Sequence, residues 1–452
     1  MPNETVQLAE YAAGLKYDDL PAPVVQRAKD TIADTVATIL FGYDLPWSRI
    51  IVDYAKRNGA GGRSRILGAG EVPVHAPAAA LANGAIAHAF EMDNLTQPNS
   101  GSHPGATTFT AALAVAQERS LSGRETIAAT VAGFETMIRI GRATKHSNER
   151  RGFHAPGTTG PLGAAVACGR LMQFDPDRMT NALGIAASTA GGLLEFARSG
   201  TGAMVKRLHL GRAAEGGVLA ASLAADGFTG PKSAIEGQAG FLKVLCNEYD
   251  ESELTRDLGR DYVTMSILLK RFPAHITAHT PVQAIEELKD AHGFSGADVA
   301  TIGIAGEERV ARVNNIPAPT DLMMAQYSVP FCVALALYRD ARDPASFTEA
   351  AVRDPDIRSL AARVAITVDP DPHAHGALAS TVTVTLKDGR TFTRRVEHFK
   401  GTPINPLNAD EMRDKFMRTT RKYPEADMTR LYDRLQGLEQ EPDLAFVSAG
   451  MA

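Results

Sequence analysis

Two stretches of the sequence place charged or titratable side chains next to glycines, a pattern that suits an anion-binding site. GFHAPGTTG has His154 in a Gly/Pro turn, and GAMVKRLHLG has Lys206, Arg207 and His209 at the start of a predicted helix. Glycine lets the backbone approach a ligand closely, and a helix N-terminus presents free N–H groups to an anion. The expected ligand is a carboxylate or a phosphate. The same residues also fit a tightly packed helix that ends in a solvated charged turn.

Further candidate groups occur on loops or at helix ends, where rigid elements can present them to a ligand. His103 lies between a serine and Pro-Gly, so its ring follows the direction of a turn. The candidate set is Asp93, His103, His154, Lys206, Lys270, His275 and Tyr327. These groups suit acid–base chemistry on a carboxylated substrate, because lysines fix carboxylates and histidines transfer protons near neutral pH.

Signatures of other chemistries are missing from the sequence. There is no CxxC pair, HExxH helix or EF-hand loop, so we expect no bound metal. The segment GAGGRS has Ser64 where a dinucleotide-binding loop needs its third glycine. The absence of GxSxG, P-loop and Cys/His nucleophile motifs argues against the common hydrolase and kinase classes.

The elements that would position the candidate groups are mostly helices up to about residue 265, where the sequence shows no convincing strand. Apolar residues recur at helical spacing, Ser122 and Glu125 form a capping-box pattern, and Asp175-Pro176 opens another helix. Beyond that point β-branched segments appear, including a hairpin joined through Asp388-Gly389. The predicted units are a helical domain (1–266), a smaller α/β unit (267–396) and C-terminal helices (397–452).

Bulk properties are those of an ordinary soluble globular protein. The chain has 452 residues, enough for more than one domain, and its net charge of −5 gives no basic field for nucleic acid. No apolar run is long enough to span a bilayer, and the N-terminus lacks the pattern of a signal peptide. Three widely spaced cysteines are typical of reduced thiols, so we expect a cytoplasmic protein with no membrane partner.

Four segments together resemble the MmgE/PrpD superfamily: GFHAPGTTGPLGAAVA, MVKRLHLGRAAEGG, KRFPAHITAH and PTDLMMAQYSVPFCVALAL. Members include 2-methylcitrate dehydratase, cis-aconitate decarboxylase and iminodisuccinate epimerase. The resemblance covers nearly the whole chain and is most specific around Lys206. It implies a mainly α homodimer in which a large helical domain, built from the N-terminal part and the C-terminal tail, carries an inserted α/β lid domain. It also implies a cofactor-free active site between the two domains.

The resemblance carries over to individual residues of this sequence. It implies catalytic roles for His103, His154, Lys206, Asp93 and His275, and substrate binding by Lys270 and Tyr327. We set aside Arg207, His209 and His279, because ion pairs or helix capping explain them equally well. The sequence departs from the dehydratase and decarboxylase branches at Asp93-Asn94, where those branches tend to carry adjacent aspartates.

The resemblance implies a lyase that removes water or carbon dioxide from a di- or tricarboxylic acid, or adds water back. Cations near a carboxylate would stabilise the charge that builds up when a neighbouring proton is removed. An epimerase or isomerase of an amino- or imino-dicarboxylate would use the same proton abstraction. A third alternative is a non-catalytic carboxylate-binding homologue, because a shared fold does not guarantee an activity.

Overall fold

The chain is mainly helical, as the sequence predicted. The computed structural model describes residues 3–70, 72–97, 101–197, 203–369 and 378–448. The helices up to residue 266 are α1 (Glu4–Gly14), α2 (Ala22–Gly42), α3 (Pro46–Asn58), α4 (Ala76–Ala87), α5 (Thr110–Arg119), α6 (Gly123–Ala143), α7 (Ser147–Arg150), α8 (Ala155–Leu171), α9 (Pro176–Thr189), α10 (Val205–Ala225) and α11 (Phe241–Leu245). The predicted caps are confirmed: Ser122 and Glu125 form a capping box on α6, and the Asp175 side chain caps α9.

The expectation of no strand before residue 265 is wrong. Two short ribbons occur, formed by β1 (Ala60–Arg65) with β2 (Pro73–Val74) and by β3 (Leu95–Thr96) with β4 (Ile267–Leu268), each antiparallel. Strands of two residues are too short to show an alternating pattern, and β1 contains two adjacent glycines, Gly61 and Gly62, that weaken any strand signal. The β3–β4 ribbon joins segments that lie far apart in sequence.

The α/β part follows β4 and is built on one mixed sheet. Its helices and strands are α12 (His279–His292), β5 (Val299–Gly306), α13 (Glu308–Arg312), α14 (Leu322–Tyr327), α15 (Val329–Tyr338), α16 (Glu349–Arg353), α17 (Pro355–Ala361), β6 (Val364–Val368), β7 (Ser380–Leu386) and β8 (Thr391–Val396). The strand order is β6-β5-β7-β8, with β5 parallel to β6 and antiparallel to β7. The predicted β7–β8 hairpin is confirmed, and its turn uses the left-handed backbone of Gly389 (φ 90°). The chain then continues with α18 (Ala409–Thr419) and α19 (Glu425–Gln436).

The buried apolar side chains form two main clusters. One draws on α1 to α10 and also on Phe416 and Leu431 of the C-terminal helices, so the tail packs back onto the helical part. The other consists of residues from the α/β part together with Phe90 and Met92. The segment around residue 91 therefore lies where the two clusters meet. A division into domains at 266 and 396 agrees with this packing and stays a prediction.

Close packing of α10 against α4 and α8 brings three helix ends together. A side chain at Gly211 of α10 would lie 2.3 Å from the carbonyl oxygen of Leu81 in α4, and one at Gly217 would lie 2.2 Å from Cβ of Ala164 in α8. Only glycine permits such short distances between helix axes. Among the described helices, none has the length and apolar character needed to cross a membrane.

Candidate active site

The site is built around residues 88–94, which connect α4 to β3. His88 follows the last residue of α4, and Glu91 adopts a left-handed backbone (φ 55°) that is uncommon for a residue other than glycine. Leu95 of β3 pairs with Leu268 of β4, which places this connection beside the segment that carries Lys270. A two-residue ribbon thus sets the distance between acidic and basic side chains from remote parts of the chain.

A cluster of four histidines and one aspartate, here called the histidine cluster, lies at the junction of α4, α8 and α10. Asp93 accepts hydrogen bonds from Nδ1 of His88 (2.9 Å) and Nδ1 of His103 (2.8 Å). His154 precedes the first residue of α8, and its Nδ1 lies 3.1 Å from Nδ1 of His209 on α10. The ring centroids of His88 and His154 are 6.3 Å apart, which makes the cluster continuous.

Asp93 fixes the orientation of the two imidazoles bonded to it. When Nδ1 of a neutral histidine donates to a carboxylate, Nε2 keeps its lone pair and can accept a proton. The side chains of His88 and Asp93 are fully buried, whereas that of His103 is 11% exposed. His103 is therefore the member of this triad that a ligand can reach, and His88 supports it through the shared Asp93 and through an edge contact between the two rings, whose centroids are 4.7 Å apart.

Burial and neighbouring charges shift the pKa values within the histidine cluster. Burial lowers the pKa of His154 well below 6.5, and His209 and His103 lower it further. Burial also lowers the pKa of His88. Burial alone would raise the pKa of Asp93, but His88 and His103 outweigh it and hold this pKa well below its ordinary value. At neutral pH Asp93 is a carboxylate, and both His88 and His154 are neutral bases.

Two buried lysines share one carboxylate next to the histidine cluster, and we call Glu91, Lys206 and Lys270 the lysine clamp. Nζ of Lys206 donates to Oε1 of Glu91. Nζ of Lys270 donates to Oε2 of Glu91 (3.2 Å) and to its backbone carbonyl oxygen (3.0 Å). Lys206 and Lys270 are only 5% and 2% exposed, so their charges face protein groups rather than bulk water.

The environment of the lysine clamp disfavours the charged ammonium and favours added negative charge. Burial lowers the pKa of Lys270 to about 8. Burial lowers the pKa of Lys206 too, and the nearby Arg207, Lys270 and Arg309 add to this effect. Lys206 also lies in the first turn of α10, where the helix dipole is positive. An incoming carboxylate would relieve each of these unfavourable interactions.

A cavity of about 140 Å³ opens beside Lys206. The lining includes Phe196, Arg207, His275 and Tyr327. The rings of His275 and Tyr327 are stacked with centroids 4.8 Å apart, and Nζ of Lys206 lies 4.9 Å from the Tyr327 ring centroid. Burial raises the pKa of Tyr327 to about 12, so its hydroxyl stays protonated and can donate a hydrogen bond.

Phe196 lines the cavity and contacts the histidine cluster, and Gln326 braces the segment that carries His275. The Phe196 ring packs 5.0 Å from that of His154. The Gln326 side-chain amide donates to the backbone carbonyl oxygens of Phe90 (2.8 Å) and Pro273 (3.0 Å), and the backbone carbonyl oxygen of Gln326 accepts from the backbone N–H of His275 (2.8 Å). These bonds link the residue-91 segment to both His275 and the neighbouring Tyr327.

The seven residues selected from the sequence lie in three adjoining groups. Asp93, His103 and His154 belong to the histidine cluster, Lys206 and Lys270 to the lysine clamp, and His275 and Tyr327 to the cavity wall. Sequence reasoning missed His88 and Glu91 and set aside His209. The sequence did contain a signal for this region, the run of acidic and polar residues EMDN at positions 91–94. Because this run follows a helix of small residues, it resembles an ordinary polar helix end.

Asn94, where the sequence departs from the resemblance, has a structural role. Its amide nitrogen donates to Oδ2 of Asp34 (3.0 Å) and to Oγ1 of Thr35 (3.0 Å) in α2, and its Oδ1 accepts from the backbone N–H of Gly105 (2.9 Å). Asn94 therefore ties the segment to α2 and to the π-helical turn Gly105–Phe109 that follows His103. Its side chain holds the site in place without joining the histidine cluster.

Within the described residues one group of side chains has the composition of a metal site: His88, Asp93 and His103, each with a ligand atom within 4.8 Å of the others. Sequence spacing did not reveal it. Its two Nδ1 atoms already pair with Asp93 at hydrogen-bond distances of 2.8 to 3.0 Å, which also explains the group without an ion. The absence of a metal requirement stays a prediction. The three cysteines are free and buried, in agreement with the expectation of reduced thiols.

Acidification should destabilise the protein, because several buried histidines resist protonation. Burial holds the pKa values of His88, His154 and His279 well below the ordinary 6.5, so below pH 6.5 the unfolded chain takes up protons that the folded chain does not. Each such group should lower the free energy of unfolding by about 1.4 kcal/mol per pH unit from pH 6.5 down to its folded-state pKa, with no change above pH 6.5.

Urea unfolding at several pH values between 5 and 8 measures this slope. His279→Leu should reduce the slope of the unfolding free energy against pH by the contribution of about one proton. His292→Leu, at an exposed histidine, is the matched control and should leave the slope unchanged. A slope that His279→Leu leaves unchanged would contradict the assignment.

Comparison of the sequence with known families and proteins shows which proteins this chain is similar to. The family model of the MmgE/PrpD N-terminal domain matches residues 6–253, and that of the C-terminal domain matches residues 272–436. The chain is 29% identical over 425 residues to the cis-aconitate decarboxylase of Homo sapiens, covering 91% of this chain and 86% of that protein. It is 30% identical over 419 residues to the cis-aconitate decarboxylase of Aspergillus terreus (strain NIH 2624 / FGSC A1156), covering 87% and 84%. The corresponding protein of Mus musculus is 26% identical over 425 residues, covering 91% and 86%.

Proposed function

Because the chain belongs to the MmgE/PrpD family, we propose that it is a carbon–carbon lyase that decarboxylates cis-aconitate without a cofactor. The observation that carries the proposal is the lysine clamp beside the histidine cluster. Two buried cations already hold one carboxylate there, within the same junction as imidazoles that can transfer a proton. Decarboxylation of cis-aconitate requires both the binding of carboxylates and the transfer of a proton.

The lysine clamp and the cavity wall bind and orient the carboxylates of the substrate. Lys206 reaches the cavity and offers an ammonium, which binds a carboxylate most strongly where water is excluded. Arg207 and the Tyr327 hydroxyl supply further donors on the same wall. This arrangement holds the substrate so that the carboxylate that leaves and the carbon that receives the proton take up fixed positions.

Decarboxylation of cis-aconitate moves electrons across its three-carbon skeleton. The bond between the CH2 carbon and its carboxylate breaks, and the electron pair forms a double bond to the central carbon. The pair of the original double bond then moves to the CH carbon, next to the third carboxylate. Charge accumulates on that carboxylate, so a fixed lysine close to it lowers the barrier. One proton added to the CH carbon completes the reaction and gives a dicarboxylic acid with a terminal CH2 group.

The histidine cluster supplies this proton. Asp93 orients His103 through Nδ1, which leaves Nε2 to carry a proton to the substrate. His154 shares a hydrogen bond with His209, in which one ring nitrogen must donate and the other accept, so a proton can pass between them. His275, stacked on Tyr327, fixes the orientation of that ring in the cavity wall.

Two further properties belong to the same proposal. A homodimer is supported by the exposed apolar side chains of Leu193, Met204 and Val205, which border the cavity-lining residues Phe196 and Lys206 in sequence. A cytoplasmic location is supported by the free cysteines.

The test is incubation of the purified protein with cis-aconitate in heavy water, followed by proton NMR and carbon dioxide measurement. We expect release of carbon dioxide, signals of a terminal CH2 group and one deuterium on the carbon that was the CH carbon of cis-aconitate. A dehydratase would instead interconvert hydroxy acid and alkene, and an epimerase would exchange protons of iminodisuccinate without releasing carbon dioxide. The double variant His103→Ala/Lys206→Met, purified in the same way, controls for contaminating enzymes. No turnover of cis-aconitate would refute the proposal.

A further inference from the structure

Glu91 is held in an unusual position by the lysine clamp. Its backbone is left-handed (φ 55°), a conformation that is strained for a residue with a side chain. Its side chain is 3% exposed and contacts both lysines. A strained conformation persists only where the surroundings require it, and such residues concentrate at functional sites. The left-handed conformation of Glu91 places its carboxylate in contact with both Lys206 and Lys270.

The two lysines need a counter-ion when no ligand is bound. Two ammonium groups so close together and so deeply buried repel each other and lose hydration, so one of them would release its proton unless a negative charge lay between them. Glu91 is the carboxylate in that position. Lys270 is also bonded to the backbone carbonyl oxygen of Glu91, but a neutral acceptor cannot replace the charge.

We propose that Glu91 is an internal counter-ion that keeps Lys206 and Lys270 protonated in the free protein and yields its place on Lys206 to a carboxylate of the substrate. Lys206 is the exchange point because it lines the cavity, and Glu91 keeps its bonds to Lys270 during the exchange. Glu91 is thus a positioning residue that acts through the lysines. The inference rests on the proposed function for its substrate class, a tricarboxylate.

Other charged and titratable groups also face the two lysines. A substitution at Glu91 leaves these groups in place, so only the charge of residue 91 changes. The groups near Lys206 are Arg207 and Tyr327 from α10 and α14, Arg309 from α13, His88 after α4 and His275 before α12. The groups near Lys270 are Asp34 from α2, Asp93, His275 and His279.

Glu91→Gln removes the negative charge and retains the shape of the side chain. One lysine should then be neutral in the free variant and should gain a proton when a carboxylate binds. We expect the variant to take up about one more proton per bound tricarboxylate than the wild type. Its KM should rise about tenfold per pH unit above the pKa of that lysine, with little change in kcat, because the bound substrate restores the missing charge.

Isothermal titration calorimetry with tricarballylate, a saturated tricarboxylate, measures this uptake when repeated in buffers of low and high ionisation enthalpy. Glu91→Gly is a second charge-removing variant, because glycine adopts the left-handed backbone without strain, and it should behave like Glu91→Gln. Glu91→Asp keeps the charge and should resemble the wild type. Glu439→Gln, which removes the carboxylate paired with the buried Lys29, is the matched control and should leave the uptake unchanged.

The outcomes separate this inference from the proposed function. Equal proton uptake by the wild type and both charge-removing variants would overturn the role of Glu91, even in a protein that decarboxylates cis-aconitate. A failure of tricarballylate to bind the wild type would overturn the exchange. The expected difference in uptake, in a protein that does not turn over cis-aconitate, would support the counter-ion and refute the decarboxylase.

Discussion

Alanine at His103 or at His154 is expected to lower kcat on cis-aconitate by about a hundredfold to ten-thousandfold, the usual cost of removing a positioned acid or base. His103 is oriented by Asp93 at 2.8 Å, and His154 pairs with His209 at 3.1 Å. KM should change only modestly, because in this mechanism neither ring holds a substrate carboxylate. Carbon dioxide release under saturating and limiting substrate separates the two parameters.

The same experiment shows whether the two histidines work together. If they serve one proton transfer, the double variant should be little slower than the worse single variant. His292→Ala, at an exposed histidine stacked on Phe392, is the matched control and should keep the wild-type rate. Near wild-type rates in both single variants would make these histidines structural and would remove the catalytic role of the histidine cluster.

Methionine at Lys206 should lower kcat/KM by about a hundredfold to a thousandfold, comparable to the loss of one charged donor at a developing anion. Methionine keeps the length and apolar stem of lysine and removes only the ammonium. We expect kcat to fall and KM to rise, since Lys206 binds a carboxylate in the ground state and stabilises charge in the transition state. The inhibition constant of tricarballylate measures the binding part by itself.

Lys29→Met is the matched control for the loss of a buried lysine. Lys29 pairs with Glu439 and donates to the carbonyl oxygen of Gln436 at 2.7 Å, so its removal should reduce stability and leave kcat/KM intact at temperatures below unfolding. If Lys206→Met lowered the melting temperature as Lys29→Met does but kept full activity, Lys206 would be a structural cation only.

The candidate residues were predictable where local sequence carried the signal. Glycine and proline around His154, the turn at His103 and the basic helix start at Lys206 each mark a place where a functional side chain is presented. Lys270 and Tyr327 were candidates because they lie on a loop or at a helix end, and the resemblance to the MmgE/PrpD superfamily implied their role in substrate binding. The sequence did not show that Lys270 contacts Glu91, because the two residues are remote along the chain.

His88 and Glu91 show why the remaining residues could not be predicted. His88 is next to a helix of small residues and resembles a buried core histidine, and its role depends on the bond of its Nδ1 to Asp93. Glu91 resembles an acidic residue at a helix end, where exposure would be usual. Its burial follows from Lys206 and Lys270, which come from α10 and from the segment after β4.

By itself the sequence determined the mainly helical character of the chain, the β7–β8 hairpin and the chemical types available for the site. These depend on periodicity, capping and turn residues, which act over a few positions along the chain. Tertiary structure alone decided that Glu91 lies between two lysines and that Asp93 serves two histidines. The physical reason is that charge pairing and burial depend on distances in space, and here those distances are set by the β3–β4 ribbon and by the glycine-mediated packing of α10 on α4 and α8.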